Sequence, residues 1–160
     1  MTNTKKYHFI RFIRVPKLFW IGFLCMAGLS VRAQENPLTV VANSKGAPAE
    51  LKMTELKSVL KGEKQRWNNG TRVVIVLMKT TTSIGKTMSK KVYNMSADEV
   101  KSFWFKLNFA GKADVPKFCN TVEELMSYVS ENPGAIGILD KLNSDTPDVK
   151  TIAVDGKKSF

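Results

Sequence analysis

Histidine and cysteine are nearly missing from this chain of 160 residues, which holds one His and two Cys. His8 and Cys25 both fall within the first 33 residues, leaving Cys119 as the one thiol beyond them. Residues 34–160 therefore have no imidazole, which excludes Ser-His-Asp and Cys-His nucleophile systems and His-based metal sites there. They cannot close an intramolecular disulfide either, so a fold in this part must be held by its core. Cys119 itself reads as a small buried hydrophobe. Acidic residues are absent from the first 33 positions, and the longest apolar run, "LFWIGFLCMAGL" at 18–29, is shorter than the roughly 20 residues that span a bilayer.

What is present at the start has a direction. Lys5, Lys6, Arg11, Arg14 and Lys17 precede the apolar run, and "SVRA" follows it with Val31 and Ala33 at the minus-three and minus-one positions. A basic stretch, an apolar stretch and a small-residue exit predict a secretory signal peptide at 1–33, cut after Ala33. Cys25 is not read as a lipidation site, because "GFL" before it lacks the expected small neighbour. Residues 34–160 then form a single exported domain, periplasmic or secreted, with no stable membrane span. They carry 19 Lys and Arg against 14 Asp and Glu, a net charge of +5 instead of the +11 of the whole chain. That charge is spread out, and no nucleic-acid motif accompanies it.

Two fragments look catalytic and fail on their surroundings. "GKT" at 85–87 ends like a phosphate-cradling loop, but the first glycine of such a loop would fall at Thr80. "SIGK" at 83–86 matches Ser-x-x-Lys, yet the same spacing recurs at Ser58 to Lys61 and the partner motifs are missing. No enzyme is expected, and no cofactor.

The apolar pattern alternates between two periods. "LTVVA" at 38–42 predicts a short buried strand, and Met53, Leu56, Val59 and Leu60 a helix that stops at Gly62. A turn with Asn69-Gly70 at its tip leads into "RVVIVLM" at 72–78, a strand covered on both faces. A helix follows from about Ser83 with Ile84, Met88 and Val92 on one side. Ser96 and Glu99 form a capping box before Val100, Phe103, Trp104 and Leu107, and Thr121 and Glu124 repeat it before Val122, Leu125, Met126 and Val129. After Pro133-Gly134 come "AIGIL" and "VKTIAV", two further strands, and a loose basic tail. Strands separated by helices predict a three-layer α/β domain, with helices on both faces of a central, mostly parallel sheet.

Order and spacing add a resemblance. Gly62 five residues before Trp67, "FAG" at 109–111 and Gly134-Ala135-Ile136-Gly137, in this succession of elements, resemble the phosphate-specific periplasmic binding proteins of bacterial ABC transporters. The likeness covers about 37–140 and matches one lobe of a type II periplasmic binding protein. In that family, the loop after the strand equivalent to "RVVIVLM" carries an arginine and then Ser-Gly-Thr, which hold phosphate at a helix N-terminus. The matching positions here are Lys79, Ser83, Ile84 and Gly85, so lysine stands for the arginine and the Gly-Thr pair is lost. The resemblance implies an oxyanion contact from Lys79, Ser83 and Gly85, with Ser44 as a second contact by analogy with the family's first binding loop, and Thr80, Thr81 and Thr82 add hydroxyl donors at the same helix N-terminus. No metal site is implied, and no Asp is placed to accept a proton from the anion.

The same loop has a purely structural reading, in which Ser83 or Thr82 caps the helix and the other threonines are solvated. The expected function is an exported solute-binding domain, weak for phosphate or another small oxyanion, serving transport or sensing beside a transporter or envelope partner. The alternative is a non-enzymatic envelope interaction or scaffold protein that keeps the lobe and has lost the ligand. An apolar surface patch where a second lobe would have packed is the feature that would mark it.

Overall fold

The computed structural model describes residues 37–141 and 146–160. The expected signal peptide, with His8 and Cys25, lies outside the described residues. The described residues belong to one compact unit. Among the described residues no helix is long and apolar enough to cross a membrane.

The elements are β1 (Thr39–Asn43), β2 (Glu50–Leu51), α1 (Met53–Leu60), β3 (Val74–Met78), α2 (Ser83–Met88), α3 (Ala97–Phe109), β4 (Lys117–Cys119), α4 (Val122–Glu131), β5 (Ala135–Leu139) and β6 (Val149–Val154). A π-helical stretch, Ser89–Tyr93, continues α2 without a break and ends at Asn94, whose φ is 54°. The strands form one sheet in the order β2-β6-β1-β5-β3-β4. Strand β3 runs parallel to β4 and β5, and β2 parallel to β6, whereas β1 is antiparallel to both of its neighbours. The sheet is thus mixed and mostly parallel.

Because strand side chains alternate, each central strand supplies two cores. Val40 and Ala42 of β1, Leu77 of β3, Ile136 and Ile138 of β5, and Ile152 and Val154 of β6 face one side, under Leu56, Leu60, Val92, Tyr93, Val100 and Trp104. Val41, Val76, Met78, Ala135 and Leu139 face the other, under Leu125, Met126 and Val129 of α4. The expected three layers are present, with α1, the π-helical stretch and α3 on one face and α4 on the other. The all-buried "AIGIL" strand depends on a missing side chain: a Cβ at Gly137 would stand 2.9 Å from a methyl of Leu125, so α4 seats directly on β5.

Both caps are as read, with one shift of partner. The Ser96 hydroxyl accepts from the Glu99 amide, and the Glu99 carboxylate accepts from the Ser96 amide. At α4 the Thr121 hydroxyl accepts from the Glu124 amide, but the Glu124 carboxylate reaches one residue further back, to the Asn120 amide at 2.8 Å. The C-terminal residues are not loose. Phe160 exchanges both backbone hydrogen bonds with Leu38, at 2.9 and 3.0 Å, and its side chain packs on the larger core.

Candidate functional site

The chain leaves β3 at Met78 and turns within four residues into α2. The turn is built on the Lys79 carbonyl, which accepts the Thr82 amide at 2.9 Å and the Thr82 hydroxyl at 2.8 Å. The same hydroxyl oxygen accepts the Gly85 amide at 3.0 Å, making Thr82 the N-cap. That decides between the two capping residues left open by the sequence: Thr82 caps, and Ser83 is the first helical residue. So tight a loop requires glycine at 85, because a Cβ there would stand 2.1 Å from the Lys79 carbonyl oxygen.

Topology sets what surrounds this loop. Strands β3 and β4 are parallel neighbours, and Lys79 N–H still donates to the Cys119 carbonyl at 2.9 Å just past the last paired residues. Beyond that bond the two chains part. The continuation of β3 packs through Met88, Val92 and Tyr93 on one face of the sheet, and the continuation of β4 packs through Leu125 and Val129 on the other. Adjacent parallel strands whose connections leave to opposite faces open a crevice at their carboxyl ends, where α/β sheets bind ligands. Lys79, Thr81 and Ser83 are exposed on one side of it, and Asn120 and Thr121 on the other.

The two helix starts bordering the crevice differ in charge. The first turn of α4 already carries Glu123 and Glu124. Hydrogen bonds from the Asn120 amide and from Lys117 hold the Glu124 carboxyl below the usual carboxylate range, so this end of α4 is supplied with its own anion. The first turn of α2 contains no acidic residue. Its first two amides, Ser83 and Ile84, have no carbonyl one turn back to accept them, and the helix dipole there is positive. An exposed lysine beside that end completes a small electropositive corner.

The structure separates the expected site residues. Lys79, Thr81 and Ser83 are exposed at the crevice, and Thr82 is half-buried in its capping role. Thr80 is 2% exposed with a hydroxyl lacking any hydrogen-bond partner, so it lies beneath the loop and not at its surface. Gly85 is buried, and its amide is already used. Ser44 must be corrected. Because β1 is antiparallel to β5 while β3 is parallel to it, the carboxyl end of β1 lies beside the start of β3, at the opposite end of the sheet from Lys79. Ser44 is engaged there with Asp148 and Lys150.

The far wall of the crevice escaped the sequence reading because β4 is three residues long and follows Pro116. A proline, a short apolar run and then a capping box was the available signal. A cleft of about 430 Å³ exists elsewhere, lined by Arg72, Val73, Ile75, Asp114, Val115 and Lys117 near the start of β3. Its charges are largely satisfied, since Arg72 pairs with Asp114 and Lys117 with Glu124. Among the described residues no cluster of His, Cys, Asp and Glu could hold a metal ion.

Comparison with protein-family models and with curated proteins finds no match. Solved structures do match. An ABC-type phosphate transport receptor from Vibrio cholerae aligns with a TM-score of 0.60 at 14% identity, over 78% of this chain and 48% of that one. PstS from Borrelia burgdorferi aligns at 0.59 and 14%, over 76% and 48%. A putative phosphate ABC transporter substrate-binding protein with bound phosphate, from Clostridium perfringens, aligns at 0.56 and 16%, over 76% and 46%. The chain shares their fold and spans a little under half the length of each, as expected of a single lobe.

Proposed function

We propose that the chain is an exported, non-enzymatic binding domain for phosphate or a similar small oxyanion, acting in transport or sensing. The observation that carries this reading is that the chain leaves the carboxyl ends of the parallel strands β3 and β4 toward opposite faces of the sheet, with Lys79 and an acid-free helix start on one side. The fold shared with proteins named for phosphate transport favours the same class of ligand. The contacts are the Lys79 ammonium, the Ser83 hydroxyl and the amides of Ser83 and Ile84, with Thr81 at the rim. Lysine contributes a point charge and not the bidentate fork of an arginine, which weakens orientation of the anion.

Calorimetric titration of the chain starting at Gln34 with phosphate tests this at physiological salt. The expected dissociation constant is about 0.1 mM or weaker, and Lys79→Ala and Ser83→Ala should each weaken it further. Binding that survives both substitutions unchanged would place the anion elsewhere. The alternative is an envelope interaction protein that has kept the lobe and lost the ligand. Complete absence of binding to phosphate and sulfate would transfer the assignment to it.

A further inference from the structure

Helix α3 buries Val100 and Trp104 and turns a second aromatic pair outward. Phe105 is 70% exposed and Phe109 86%, one helical turn apart, with their rings stacked at 6.2 Å. Exposed phenylalanines on a helix that already has an apolar face are an unneeded cost for a free surface, and such patches mark contacts. Three exposed lysines lie close to the pair along the chain. Lys101 lies a turn before Phe105, Lys106 is beside it, and Lys112 follows the end of the helix. Lys101 is paired with Asp98 at 3.2 Å, while among the described residues no carboxylate pairs with Lys106 or Lys112.

Size and shape select the occupant. At roughly 200 Å² per aromatic side chain the two rings offer about 300 Å², against the ~800 Å² that each partner contributes to a stable protein interface. The rings project from a convex helix, and the hollow nearest to them is flanked by the ammonium-bearing side chains of Lys101 and Lys106. Protruding aromatics with lysines close by match an interfacial surface, in which rings enter the boundary of the acyl chains and ammonium groups stay with anionic headgroups.

We propose that the outer face of α3, through Phe105 and Phe109 with Lys101, Lys106 and Lys112, docks the protein on an anionic lipid surface. This contact is peripheral and reversible, and it stands independently of the anion reading of the crevice. The compact unit contains its own core, so the test uses the chain starting at Gln34. It is sedimented with vesicles of equal parts phosphatidylglycerol and phosphatidylcholine, and with vesicles of phosphatidylcholine alone. Binding to the anionic vesicles should exceed that to the neutral ones by more than about tenfold, since each surface lysine is worth about fivefold at an anionic surface.

The double variant Phe105→Ser/Phe109→Ser, at positions outside the core, should keep the parent circular dichroism and lose more than about tenfold in binding. Lys106→Gln/Lys112→Gln should bind more weakly and show a shallower salt dependence. Absence of sedimentation with anionic vesicles overturns the proposal, as does equal binding to neutral ones or equal binding by the phenylalanine variant. Self-association that disappears in that variant, measured by light scattering without lipid, would make the patch a contact between copies and overturn it as well.

Discussion

Replacing Gly85 by alanine should destabilise the protein, although helix propensity alone argues the reverse. Gly85 sits in the first turn of α2 with ordinary helical geometry, where alanine is favoured by about 1 kcal/mol. Its added Cβ, however, would stand 2.1 Å from the Lys79 carbonyl oxygen, 2.7 Å from the Lys79 carbonyl carbon and 2.9 Å from the Thr80 Cα. These are backbone atoms, and they must retreat by about 1 Å or more before a contact near ~3.5 Å is restored. The carbonyl that has to move is the one receiving both Thr82 hydrogen bonds, so its retreat also pulls the cap away from the Gly85 amide. Overpacking costs about 1 to 3 kcal/mol and loss of a cap about 1. Set against the propensity gain, the net loss is about 2 kcal/mol, or a melting temperature lower by roughly 8 °C for a domain of this size.

Thermal unfolding followed by circular dichroism measures it, with Gly70→Ala as the comparison. Gly70 has φ of 85° and nothing within 4 Å of a built Cβ, so alanine there meets backbone strain without a clash and should cost only about 1 kcal/mol. If Gly85→Ala melts at or above the parent temperature, the β3–α2 loop has room to shift, and the tight crevice described above is wrong.

Tyr93→Phe should cost about 2 kcal/mol, because the buried hydroxyl donates to the Leu60 carbonyl and accepts from Trp104 Nε1. Urea unfolding reads it, and a change under a few tenths would mean that water replaces both bonds. Burial also pushes the Tyr93 phenol well above its usual range, so ultraviolet titration should show it silent until the fold is lost in alkali. Glu99 and Glu124 are held below the ordinary carboxylate value, chiefly by the Ser96 and Asn120 amides. The unfolded chain thus takes up these protons first on acidification. Their contribution is complete above about pH 5 and is lost as pH falls through the lower folded values. The double variant Glu99→Gln/Glu124→Gln should flatten that acid limb, and an unchanged slope would refute the assignment. Export predicts a mature protein beginning at Gln34, and an intact mass that retains residues 1–33 would contradict it.

Local chemistry was legible in the sequence wherever one residue type has one job. "AIGIL" announces a buried strand and "RVVIVLM" a strand that starts at Val74 and is fully buried only from Val76 to Met78, through β-branched and aliphatic side chains alone, and Ser96, Glu99 and Thr121 announce helix starts. Strand direction was not legible. Val40, Val41 and Ala42 are equally apolar whichever way β1 runs, so nothing local shows that β1 opposes β5 and β6. That reversal removed Ser44 from the site, since it exchanges which end of the sheet the strand exit occupies. Between Thr82 and Ser83 the sequence could not choose either, because both hydroxyls suit a cap. The Lys79 carbonyl decides, and its position is set by the β3–β4 pairing. Nothing in the apolar pattern marks Phe105 and Phe109 as an outward-facing pair, because Phe103 and Trp104 already supply the core stripe of this helix.

The crevice and the aromatic pair lie toward different ends of the molecule, so both can act at once. Lys79 marks the carboxyl ends of β3 and β4. Lys112, just past Phe109, accepts the Gln65 side-chain amide on its carbonyl at 2.6 Å, and the Gln65 carbonyl in turn accepts the Val73 amide, ahead of the first residue of β3. The C-terminal end of α3 is therefore tied to the entry of β3 and the proposed oxyanion contact at Lys79 to its exit, five strand residues away. At about 3.3 Å per residue that separation exceeds ~15 Å, beyond the ~8 Å over which exposed charges act on one another at physiological salt. A lipid surface meeting Phe109 would then neither cover Lys79 nor compete electrostatically for its anion. Phosphate titration of Phe105→Ser/Phe109→Ser should give the parent affinity within about twofold, and addition of anionic vesicles to the parent should leave its phosphate affinity unchanged. A phosphate affinity that falls with the phenylalanine pair, or with added vesicles, would mean that the two surfaces are one site and that the separation along β3 does not keep them apart.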